Sequence, residues 1–202
     1  MGRWDPDAGG RLQQAAMGLC LERGYEDVTV AEIAARAGLT KRTFFRYFAD
    51  KREVLFAGAQ AFQAGVTAAV MDAAPGVAPI DIVVAALADS GAQLAQYGEF
   101  ARGRRELIAS SADLQERELI KMASLARAIA EALRQRGDEP LQASLTAQAG
   151  VAAFTTAYDR WIDSDGAADF PALVHQSLDE LRQAVCAVRQ PRSGPSPHGP
   201  VP

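Results

Sequence analysis

Six side chains in one short stretch, Lys41, Arg42, Thr43, Phe45, Arg46 and Tyr47, have the chemistry to read a polyanion. The three cations suit phosphates and guanine edges, while a Thr methyl or an aromatic edge suits thymine methyls. Phe44 and Phe48 stand four apart and share one helical face, where they can pack on Ile33, Ala37 and Leu39. The other six are left to point elsewhere. The bland alternative is an ordinary basic helix with Phe45 and Tyr47 in the core. The caps, the turn and the local charge coincide here and weigh against it. Thr29 and Lys51 stand at expected helix N-termini, where free amides and the helix dipole favour a phosphate.

The surrounding residues supply the scaffold for that stretch. A first helix is expected from about Gly9 to Arg23, with Leu12, Ala15, Ala16, Leu19 and Cys20 on one face and Gly24 as its stop. Thr29-Val30-Ala31-Glu32 fits a capping box and opens a second helix, which Gly38 ends. Thr40 can cap a third helix from Lys41 to Phe48. Two short helices joined by Gly38-Leu39-Thr40 describe a helix-turn-helix. Asp50-Lys51-Arg52-Glu53 reads as another capping box, opening a long fourth helix to about Ala74. Only Val28-Thr29-Val30 alternates like a strand.

Charge follows the same map. The 202-residue chain has a net charge of -4. Between Arg36 and Arg52 stand six basic residues and one acid, a local +5 that leaves -9 for the rest. A basic patch on an acidic protein is an electrostatic footprint for nucleic acid.

The run from Val28 to Lys51 resembles the signature of the tetracycline-repressor (TetR/AcrR) family. The matching features are apolar-Thr, Ile-Ala, Ala-Gly, Thr-Phe-Phe-Arg-Tyr-Phe and Lys at the family's spacing, over about residues 10–55. The resemblance implies a homodimer that binds a palindromic double-stranded DNA operator, usually as a repressor, and leaves it when a small molecule binds the C-terminal bundle. It assigns Lys41, Arg42, Thr43 and Phe45 to base-proximal positions. Thr29, Arg46, Tyr47 and Lys51 fall on phosphate-touching positions. Ala31 departs from members that carry a base-reading Arg on the second helix. An activator with the same DNA module, or a regulator answering to a protein partner, stay open as alternatives.

Beyond Pro75-Gly76 the chain reads as helices at about 79–97, 100–111, 113–136, 141–165 and 169–189. The expected fold is all-α, with about nine helices: an N-terminal three-helix helix-turn-helix domain over 1–52, an antiparallel effector-binding and dimerisation bundle over 53–190, and a disordered tail over 191–202. Phe62, Val66, Val70, Leu87, Leu94, Met122, Leu125, Phe154 and Tyr158 are the candidate walls of an effector pocket for a lipophilic ligand, although each also suits plain core. Arg102, Arg104 and Arg105 have the chemistry to hold an anionic group, with a solvated face or internal ion pairs as the favoured reading. The bundle resembles the ligand domain of an actinobacterial subgroup linked to acyl-coenzyme-A-like effectors. That likeness rests on Arg117-Glu118 with Lys121, Ala132 to Gly137, Glu139-Pro140 and Arg160-Trp161. Val174, Leu178, Leu181, Val185 and Val188 form a 4-3-4-3 seam, and Ala143, Ala147, Gly150, Ala153 and Ala157 a small-residue stripe; both suit a dimer interface or a monomer core.

Other classes are poorly served. The two histidines, His175 and His198, lie in no nucleophile-elbow, P-loop or metal-ligand pattern, so neither an enzyme nor a cofactor is expected. Cys20 and Cys186 read as free thiols in a reducing compartment. No signal peptide is evident at Met1–Pro6, and no stretch is expected to reach eighteen apolar residues without a charge. A cytoplasmic protein that binds no membrane is the expectation.

Overall fold

A computed structural model describes residues 8–94, 98–164 and 167–187. The N-terminal arm, Val188 of the seam, His198 and the tail lie outside the described residues. Among those described there are nine α-helices, one 3-10 turn and no strand. They are α1 (Ala8–Arg23), α2 (Val30–Arg36), α3 (Lys41–Tyr47), the turn Glu53–Phe56, α4 (Ala59–Asp72), α5 (Pro79–Leu94), α6 (Gly98–Ser110), α7 (Ala112–Gln135), α8 (Pro140–Asp163) and α9 (Phe170–Ala187). Val28-Thr29-Val30 is not a strand: Thr29 is the N-cap of α2.

Two cores organise the chain. The first buries Leu12, Ala16, Leu19 and Cys20 of α1 with Ile33, Ala34 and Phe44. Phe44 is fully enclosed, so its truncation to Ala should cost about 3–5 kcal/mol. The second core joins α4, α5 and α7 to α9 around Leu87, Ile129, Leu133, Phe154 and Trp161. Short connections make consecutive helices antiparallel neighbours there.

The fourth helix departs from expectation. Asp50 Oδ1 does accept the amides of Arg52 (2.8 Å) and Glu53 (3.0 Å), but the turn it caps is 3-10 and stops at Phe56. The helix begins afresh at Ala59, after Gly58 at φ 88°. Val54, Leu55 and Phe56 are all buried. Three consecutive side chains fan around most of a helix axis, so burying all three requires the segment to enter the core. Gly58 then supplies a left-handed residue that redirects the chain. Residues 54–56 pack in the first core, joined by Leu107, Ile108 and Leu114 of α6 and α7.

The charge-free run Val54–Met71 also corrects the expectation about apolar stretches. Glu53–Asp72 is long and apolar enough, by length and composition, to cross a membrane, with mean hydropathy 1.5. Its backbone is broken at Gly58, and its largest aliphatic side chains divide between the two cores.

The stripe and the first half of the seam turn inward. Val174 and Leu178 are core residues of the chain itself, Leu181 is half-buried and Val185 is exposed. Ala143, Ala147, Gly150, Ala153 and Ala157 are all buried. A Cβ on Gly150 would lie 2.4 Å from Val83 Cγ1. The close approach that small residues permit is therefore made with α5 of the same chain.

Candidate nucleic-acid interface

The reader is assembled from local caps outward. Thr29 Oγ1 accepts the Glu32 amide (3.3 Å), and Glu32 Oε2 accepts the Thr29 amide (2.9 Å), closing the capping box reciprocally. Arg23 adds a hydrogen bond to Glu32 Oε1 at 2.8 Å. The Thr29 side chain, then the Arg23 guanidinium, hold the Glu32 carboxyl down at a pKa of about 2. Gly38 takes φ 68° and lets Leu39 N donate to Ala34 O at 2.8 Å, ending α2 and turning the chain. Thr40 then caps α3 by accepting the Thr43 amide (3.1 Å), and the two Thr hydroxyls pair at 2.9 Å.

The inward face of α3 is Phe44, with Phe48 against it at 5.5 Å between ring centres. Ile33 and Ala37 share that core, and Leu39 packs on it. On the outward side Lys41, Arg42 and Arg46 are exposed and Thr43 is half-buried. Phe45 is 48% exposed, edge-on to Phe44, with Lys41 Nζ 5.9 Å from its ring centre. Tyr47 is half-buried beneath Arg46, whose guanidinium lies 5.1 Å from the ring centre.

Ion pairing discriminates among the basic residues. Arg36 is held by both oxygens of Glu22 (3.1 and 2.8 Å), which lowers the Glu22 pKa. Arg52 pairs with Asp50 at 3.2 Å. Lys51 turns inward: its Nζ donates to the carbonyls of Tyr25 (2.8 Å) and Val28 (3.0 Å). Lys41, Arg42 and Arg46 make no ion pair among the described residues. The unneutralised charge of the patch is thus concentrated on one exposed helix face. Thr29 and Lys51 are occupied as cap and brace. The sequence pattern already gave Thr29 to a capping box with Glu32, but it did not reveal that the carbonyls of Tyr25 and Val28 hold Lys51.

In the bundle, Val66, Val70, Leu87, Leu125 and Phe154 are buried together, with Phe62, Met122 and Tyr158 packed against them. The rings of Phe62 and Phe154 lie 5.3 Å apart, and those of Phe154 and Tyr158 6.4 Å. Leu94 closes α5, but its side chain lies outside the described residues. An opening of about 400 Å³ lies elsewhere, between α4 and α7, lined by Ala64, Thr67, Ala68, Met71, Ala128, Glu131, Ala132 and Gln135. It shares no residue with the expected walls.

Within the arginine trio, Arg104 and Arg105 turn to different partners. Arg104 donates to Leu55 O and Glu118, both at 3.2 Å, while Arg105 reaches Asp163 at 2.7 Å. Arg102 has partners of its own. Several residues that carried the acyl-effector resemblance also have structural duties. Arg117 and Lys121 grip Glu53. Arg136 donates to the carbonyls of Met71 and Ala73 at the end of α4. Glu139 caps α8, and Trp161 is core.

Solved structures share this architecture. FadR of Thermus thermophilus, a TetR-family repressor in complex with lauroyl-CoA, is 22% identical, covers 95% of this chain and 100% of its own, and gives a TM-score of 0.57. A SmeT–triclosan complex is 21% identical over 96% of this chain and 99% of its own, with a TM-score of 0.62. FadR of Bacillus subtilis in complex with stearoyl-CoA is 17% identical over 85% and 96%, with a TM-score of 0.58. An uncharacterized HTH-type transcriptional regulator of Mycobacterium tuberculosis is 41% identical over 49 residues, 24% of this chain. That match spans 26% of the relative's length. The tetR family of bacterial regulatory proteins matches residues 12–57, and the MftR C-terminal domain matches residues 77–185. The chain belongs to the TetR family of bacterial regulatory proteins, with a C-terminal domain of the MftR type.

Proposed function

We propose that this chain is a cytoplasmic, sequence-specific transcriptional repressor. It binds a palindromic operator as a homodimer and leaves it when a small lipophilic or acyl-type effector enters the bundle. The observation that carries this reading is the triad Lys41, Arg42 and Arg46, without an ion pair among the described residues, on the exposed face of a helix capped by Thr40. Lys41 and Arg42 occupy its first turn, the part that projects deepest into a major groove, beside Phe45 and Thr43. Arg46 and Tyr47 lie toward the flanking phosphates. Two copies should present these helices about 34 Å apart, one turn of DNA or slightly more. The clustered aromatic and aliphatic side chains around Phe154 support a lipophilic effector, in keeping with the acyl-CoA and triclosan complexes of the structural neighbours.

The test begins with duplexes selected from random-sequence DNA by the purified protein. Base contacts add discrimination, whereas phosphate contacts add affinity alone. Arg42→Ala should lose about 1–3 kcal/mol on the selected duplex and relax preference at particular base pairs. Uniform losses on selected and scrambled DNA would remove Arg42 as a base reader. Failure to enrich any sequence would remove the regulator reading itself.

A further inference from the structure

The break at Gly58 raises the question of what holds the reader at a fixed angle to the bundle. No helical hydrogen-bond ladder crosses it: α4 makes its first bond from Phe62 N to Gly58 O. Contacts made by the turn Glu53–Phe56 replace the missing rod. Glu53 is gripped from successive turns of α7, by Arg117 through one carboxylate oxygen and by Lys121 through the other at 2.9 Å. Arg104 of α6 donates to Leu55 O at 3.2 Å and lies 4.7 Å from the Phe56 ring centre, while its other arm holds Glu118 of α7. Two further contacts extend the seam. Ser111 Oγ donates to Glu26 at 3.0 Å, and a Cβ on Gly103 of α6 would lie 2.9 Å from Leu21 of α1.

We infer that Glu53, clamped by Arg117 and Lys121, is the positioning residue that fixes the reader's orientation, and that α6 and α7 rather than α4 govern the angle at which α3 meets DNA. The clamp is local and mostly enclosed: the side chains of Glu53 and Lys121 are each 17% exposed. A carboxylate shared between two cations on one helix resists rotation as well as separation. A hydrogen bond to a single partner would resist separation alone. Movement of α7 relative to α6 would drag Glu53 and with it the buried Val54-Leu55-Phe56 wedge. The wedge belongs to the same core as α1 and Phe44, so the whole reader must follow.

The inference about DNA geometry rests on the proposed dimeric repressor, so the test has two arms. The first needs no DNA. In the full chain, Glu53→Gln and Arg117→Met should each speed amide exchange across Val54–Phe56 by about tenfold, while α8 keeps its protection; Arg117→Lys should behave like wild type. The second arm compares the selected duplex with one carrying a single base pair inserted at its centre. Wild type should lose about tenfold or more in affinity on the insertion, and Glu53→Gln less than about threefold, because a loosened reader can follow the shifted half-site. A mere loss of stability would weaken both duplexes equally. Unchanged exchange in both variants, or an undiminished spacing penalty in Glu53→Gln, would overturn the clamp. If wild type selects no duplex, the repressor reading falls and the exchange arm still decides whether Glu53 holds the reader.

Discussion

Lys51 carries its ammonium 4.0 Å from the centre of the Tyr25 ring and donates to the Tyr25 carbonyl at 2.8 Å. The lysine that follows α3 thereby ties the loop between α1 and α2 to the reader's far end. Burial raises the Tyr25 hydroxyl well above its usual pKa, so the ring under the cation stays neutral.

Lys51→Met should therefore act mainly on folding. It removes the ammonium from the Val28 carbonyl, leaves the Tyr25 carbonyl only the Val28 amide at 3.4 Å, and takes a cation from a ring face, for a loss of about 1–3 kcal/mol in denaturant-melt stability. The salt dependence of DNA binding should stay as in wild type. A primary phosphate contact would instead reduce the slope by about one unit. A reduced slope with unchanged stability would return Lys51 to the DNA surface.

Local pattern and long-range contact explain what the sequence disclosed. Thr29 and Glu32 are three residues apart and satisfy one another, so that helix start is fully encoded within four residues. Asp50 and Glu53 show the same spacing, yet Glu53 turns to Arg117 and Lys121, more than sixty positions away. Nothing near Glu53 announces those partners. The alternation of faces on α3 was legible because Phe44 and Phe48 mark the inside. The stripe from Ala143 to Ala157 was legible as a close-packing surface, but its partner was not. Composition is equally silent on whether Phe62, Phe154 and Tyr158 line a pocket or fill a core, since both call for the same side chains.

Acid should separate the capping box from the rest of the fold. The Glu32 carboxyl sits at about 2, below its ordinary 4.5, so the folded state favours its charged form. A depressed carboxylate contributes stability that is complete above its unfolded value and is lost as pH falls through the folded one. Glu32→Gln should lower the melting temperature at neutral pH, and the gap to wild type should narrow as pH falls from about 4.5 toward 2. A gap that is constant over that window would mean that the charge on Glu32 contributes nothing. Exposure of the pair keeps the expected effect small.

Gly150 tests the contact between α8 and α5. Its added Cβ would lie 2.4 Å from Val83 Cγ1 and 3.4 Å from Leu87 Cδ1. Alanine gains up to about 1 kcal/mol of helix propensity over glycine, against about 1–3 kcal/mol for overpacking a rigid β-branched neighbour. Gly150→Ala should thus be destabilising by up to about 2 kcal/mol. In a Val83→Ala background the same substitution should become neutral or favourable, a coupling that thermal melts of the four proteins would register. Equal effects in both backgrounds would show that the helices already have room.

The proposed dimer can be assigned to a surface by separating core residues from exposed ones on the last two helices. Leu178 is buried within its own chain, so Leu178→Glu would place a carboxylate in the monomer core and should prevent folding whatever the oligomeric state. The large apolar residues exposed there, among the described residues, are Leu141 (63%) and Leu145 (54%) on α8 and Val185 (61%) on α9. Leu141 and Leu145 are four apart and share one face of α8, opposite the small-residue stripe that meets α5. That leaves α8 with an apolar face exposed among the described residues. Leu145→Glu should retain the helical melt of wild type, yet shift the molecular mass in light scattering from dimer to monomer. Affinity for the selected duplex should fall with it, because one helix-turn-helix reads too few base pairs to hold a site alone. A Leu145→Glu protein that remains dimeric and binds as before would remove this face of α8 from the interface.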